Sequence, residues 1–119
     1  MKILFAAILA LTLPAVAVTH QVTLTWTAPA DATSASTVTV FRYTGACTGT
    51  PAFTSIATGV AMTTSSTSTT GTYIDTTVTV GTYCYTVQQD LNGAASVNSN
   101  LAPVTVSPLP PTGLTLVAQ

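Results

Sequence analysis

The chain has 119 residues and a formal net charge of −1, and charged side chains make up only 4% of it, against roughly 25% in an ordinary soluble protein. Two basic residues, Lys2 and Arg42, are too few to neutralise a run of phosphates, which excludes nucleic acid as a partner. A hydrophobic fraction of 47% excludes a disordered chain, and 27 Thr, 9 Ser and no Glu favour strands over helices.

Residues 1–17, MKILFAAILALTLPAVA, carry one lysine, an apolar run broken only by Thr12, the helix breaker Pro14, and then Ala15-Val16-Ala17. This is the layout of a secretory leader cleaved before Val18. Residues 3–18 would span about 24 Å as a helix, short of the ~30 Å hydrocarbon core of a bilayer. The expected localisation is therefore secreted, extracellular or at the cell surface, with membrane attachment only if the leader is retained. Three segments follow: the leader at 1–17, a β-domain at 18–107, and a Pro-rich linker with a strand-like tail at 108–119.

Residues 21–27, QVTLTWT, alternate between an apolar face (Val22, Leu24, Trp26) and a threonine face, the pattern of a half-buried antiparallel strand. Residues 37–43, TVTVFRY, repeat it, with Val38 and Val40 inward and Phe41 outward. A weaker third strand is expected at 52–57. Residues 62–71, MTTSSTSTTG, read as a flexible low-complexity stretch with little apolar surface to bury, followed by a short strand at 72–75. Residues 82–89, TYCYTVQQ, give the strongest strand pattern, and Asn92-Gly93 marks a tight turn. A last strand is expected over 96–106, bent at Pro103. About seven short strands separated by turns predict an all-β Greek-key sandwich.

The order of these motifs resembles a fibronectin type III domain of the bacterial and phage kind, an immunoglobulin-like sandwich. Val22-Thr-Leu-Thr-Trp26-Thr-Ala-Pro29 is similar to the family's strand B with its core Trp, and Thr39-Val40-Phe41-Arg42 to its strand C. Tyr73-Ile-Asp75 followed by Gly81-Thr82-Tyr83 resembles the turn into strand F, with Tyr83 as the corner tyrosine. Ser96-Val-Asn-Ser99-Asn100 is similar to the opening of strand G. The resemblance covers residues 22–106. It implies that strands C and F are neighbours, so that Cys47, just after C, and Cys84, on the outer face of F, form a disulfide. Most modules of this family lack one, but an exported chain permits it. A second departure concerns strand A, which leader cleavage would leave without its usual segment. Residues 108–119, with Leu114, Leu116 and Ala118 on one face, instead resemble a linker and a strand A.

The residue set does not suggest an enzyme. His20 stands alone, no Ser or Thr has a visible base beside it, and Asp31, Asp75 and Asp90 lie in separate segments. Asp75 fits an Asx-turn. One His, two Cys and three scattered Asp make no recognisable ligand set, so neither metal nor cofactor is expected. Two non-catalytic roles are expected instead. One is a structural or surface protein that self-assembles head to tail, with Leu114, Leu116 and Ala118 on a donated strand. The other is a monomeric binding or adhesion module for a carbohydrate or protein, including a phage virion surface or tail-decoration protein, with Phe41 and Tyr43 as the candidate surface patch.

Overall fold

The computed structural model describes residues 19–64 and 69–119. The expected leader, and residues 65–68 of the Thr/Ser-rich stretch, lie outside the described residues. The described chain holds eight strands and no helix: β1 (Val22–Thr27), β2 (Thr37–Thr44), β3 (Thr54–Ala61), β4 (Thr63–Thr64), β5 (Thr69–Asp75), β6 (Gly81–Leu91), β7 (Ala94–Ala95) and β8 (Ala102–Val106). They form an all-β sandwich. One sheet has the order β1-β5-β4, and the other has β3-β2-β6, with β7 and β8 both paired to β6. All pairings are antiparallel.

Alternation in the sequence becomes the two faces of each sheet. Val38 and Val40 of β2 and Tyr83 and Tyr85 of β6 point inward and are buried, joined by Met62, Val78 and Val106. On the outer face of the first sheet, Thr23, Thr25 and Thr27 lie beside Ile74, Thr72 and Thr70. All six are exposed, so this face is uncharged and mostly hydroxyl-coated.

Three expected elements differ from the observed ones. The third strand runs on to Ala61 because the β2–β3 pairing shifts register opposite Val40, and Gly59 (φ 66°) takes a conformation that other residues adopt only with strain. Residues 62–71 are not a loose stretch throughout. Met62 is a core residue where the chain changes sheets, and β5 begins at Thr69, because Thr27 and Trp26 supply pairing partners for Thr70 and Gly71. The last strand is regular only from Ala102. Over residues 96–99 two serine hydroxyls take over part of the ladder: Gln89 N–H donates to Ser96 Oγ (3.0 Å) and Val87 N–H to Ser99 Oγ (3.1 Å). The amides of Ser96 and Ser99 donate back to the Gln89 and Val87 carbonyls at 2.8 Å. The β6–β7 hairpin turns on Asn92 (φ 51°) and Gly93 (φ 78°), as the sequence led one to expect.

Candidate assembly groove

Strand β1 pairs with β5 on one side, and among the described residues nothing pairs with its other edge. The consequence shows in its side chains. Val22, Leu24 and Trp26 face the core yet are only half-buried, whereas Val38 and Val40 opposite are 2% and 0% exposed. A groove of about 950 Å³ opens along this edge, lined by Leu24 and Trp26 on one wall and by Val87, Val97, Pro103 and Val104 on the other. Trp26, which the resemblance likens to the family's core Trp, is half-buried and forms part of the groove wall, because no described strand covers it. Its indole lies over Gly71, its cross-strand partner, where an added Cβ would overlap the ring. Trp26 Nε1 is buried without a hydrogen-bond partner.

The tail carries complementary chemistry. Leu114, Leu116 and Val117 are 85%, 90% and 86% exposed, and Ala118 is exposed too. Residues 107–119 form no strand, so the apolar row of Leu114, Leu116 and Ala118 faces solvent. The structure thus places the candidate strand and a groove of matching character on one chain, without bringing them together.

Beyond the groove, the sheets are tied by a polar cluster. The Asp75 carboxylate is 1% exposed. Its Oδ2 accepts from Arg42 Nη1 (2.7 Å) and Tyr85 OH (2.9 Å). Its Oδ1 accepts from the Thr77 amide (2.9 Å) and hydroxyl (2.7 Å). Burial pushes the Asp75 carboxyl up, but the bonds from Thr77, Arg42 and Tyr85 together outweigh it and hold the group below the usual aspartate value. Burial and the bond to Asp75 drive the Tyr85 phenol well above its ordinary value, so it stays a proton donor. Burial works against the Arg42 charge, but Asp75 overcomes this and raises it. Arg42 also sits over the Tyr83 ring, 5.4 Å from its centroid. Tyr83 OH donates to the Thr79 carbonyl (3.1 Å) and accepts from the Thr79 amide (3.1 Å), fixing the turn into β6.

Cys47 and Cys84 are joined by a disulfide, with Cα atoms 5.1 Å apart. Such a bond belongs in a non-reducing compartment. Cys84 lies opposite Tyr43 on the outer face of the second sheet and is fully buried beneath the Cys47 loop. Phe41 and Tyr43 share that face and are half-buried. Tyr43 packs edge-on against Phe53, with centroids 6.5 Å apart. The sequence reading missed Phe53, an isolated apolar residue with no periodicity to mark it.

The other polar residues form local contacts. Asp90 accepts from Thr39 Oγ1 (2.7 Å) and Asp31 from Gln89 Nε2 (3.3 Å). Among the described residues no three His, Cys, Asp or Glu side chains cluster, and no helix is long and apolar enough to cross a membrane. Compared with known proteins, the chain matches no family model. No curated protein is similar to it in sequence.

Proposed function

We propose that this chain is a non-catalytic structural module of an extracellular surface, a fibronectin type III-like sandwich that joins copies of itself by donating residues 113–119 as a strand. Support for the family reading comes from the Tyr83–Thr79 corner, the serine-capped entry to β8, and a sheet order that, among the described residues, lacks only a strand beside β1. The observation that carries the assembly reading is the half-covered edge of β1 along a groove of about 950 Å³. An unpaired edge beside exposed apolar side chains is a template for an added strand. The tail offers apolar residues at the period of two that such a strand needs.

A peptide of residues 113–119 tests the reading on protein truncated after Pro111. Binding should raise the thermal midpoint of the truncated domain and shift the emission of Trp26, the single Trp, to shorter wavelength. A peptide that changes neither at millimolar concentration contradicts strand donation.

A further inference from the structure

We infer that the donated segment enters the groove of a second copy at its Trp26 end and runs antiparallel to β1, with Leu114 beside Trp26, Leu116 beside Leu24 and Ala118 beside Val22. This rests on the strand donation proposed above, and adds a direction, a register and a reason why the acceptor is another chain.

Strand pairings fix which ends of the sandwich lie together. Val22 opposes Asp75, and Asp75 is bonded to Arg42 and Tyr85 of the second sheet. Tyr85 opposes Ala102, from which β8 runs on to Val106 opposite Gly81. The tail therefore leaves the domain at the Val22 end of β1, while Trp26 and Thr27 lie at the far end. To cover its own β1, the tail would have to reverse at once and climb back parallel to that strand. Its first residues oppose a reversal. Pro108, Pro110 and Pro111 fix φ and favour an extended polyproline segment of about 3.1 Å per residue. Continuing forward, the tail meets the Trp26 end of a copy stacked head to tail. From there it runs down the groove antiparallel to β1, the pairing seen throughout this fold. Gly113 (φ 73°) supplies the bend where the stiff spacer meets the strand.

The register follows from the two apolar rows. β1 offers three half-covered inward residues at a spacing of two, and the tail offers three apolar residues at the same spacing. The antiparallel alignment that uses all of them also sets Thr115 beside Thr25 and Val117 beside Thr23 on the solvent face. Opposed residues in an antiparallel pair lie about 4.5–5.5 Å apart at Cα, within the span of a disulfide.

Cysteine pairs on that solvent face test the inference in protein starting at Val18. Thr25→Cys/Thr115→Cys and Thr23→Cys/Val117→Cys should each give a ladder of reducible multimers between chains. Thr23→Cys/Thr115→Cys, opposed in a tail parallel to β1 or in an antiparallel one slipped by two residues, should give no link. Neither should Thr25→Cys/Val117→Cys, which is opposed together with it only in the parallel arrangement. A link in Thr23→Cys/Thr115→Cys alone, within or between chains, overturns the register, and links in both that variant and Thr25→Cys/Val117→Cys overturn the direction. Absence of links in the first two, in protein whose oligomers still vanish when residues 112–119 are removed, overturns the register while leaving donation standing. Absence of links in protein that is monomeric with and without those residues overturns donation itself.

Discussion

At Asp75 the two sheets meet on one carboxylate. Removing a charge from water costs several kcal/mol, and the cost is recovered only when the remaining lone pairs are satisfied. Here four donors from Arg42, Tyr85 and Thr77 surround the two oxygens. Asp75→Asn keeps the shape but leaves Arg42 without its counter-charge, so it should lower stability by about 3 kcal/mol, read from urea unfolding. The same site sets an acid limit. The folded Asp75 carboxyl lies below its unfolded value, which is about 3.9. Its contribution is therefore fully present above that value and is lost as pH falls through the lower folded value. Stability measured from pH 6 down to pH 2 should decline below about pH 4 in the native protein, and less steeply in Asp75→Asn. Tyr83→Phe should cost about 1 kcal/mol through the lost bond to Thr79, with the acid decline unchanged.

Among the strands, legibility depended on how much of the determining information was local. β1, β2 and β6 alternate apolar and polar residues, and a single burial face explains each. The threonines that open β5 carry no such contrast, so only the pairing with β1 reveals them. Over residues 96–99 the ladder is continued by hydroxyl groups, which no periodicity encodes. The Asx-turn at Asp75 was readable from its neighbours, whereas its ion pair with Arg42 joins residues 33 apart in different sheets. Trp26 reads as core because its strand pattern is sound, and its half-exposure depends on what lies beside β1. Cys47 and Cys84 were readable as a pair through the family resemblance. The bridge spans 37 positions, and removing it with Cys47→Ala/Cys84→Ala should cost about 4 kcal/mol in the chain-entropy model, seen as a lower urea midpoint. Gly71→Ala should displace the Trp26 indole from its seat and cost about 1–3 kcal/mol. The displaced ring would also block the groove, so this variant should bind the tail peptide more weakly than the parent domain.

At the scale of the whole molecule, a stable half and an unfinished half sit in one sandwich. The second sheet has the disulfide, the long β6 and fully buried inward residues. Among the described residues, the first has an unpaired edge at β1, a half-covered tryptophan and an open groove. A contact in which one end of a copy completes the opposite end of the next is heterologous, and extends into a filament unless its rotation closes a ring. With so little net charge, there is little electrostatic repulsion to keep copies apart. Sedimentation velocity over a concentration series measures the assembly directly, comparing protein that starts at Val18 with the same protein lacking residues 112–119. The longer protein should form species larger than a monomer in proportions that grow with concentration, while the shorter one stays monomeric; two proteins that both sediment as stable monomers at every concentration would contradict assembly by strand donation.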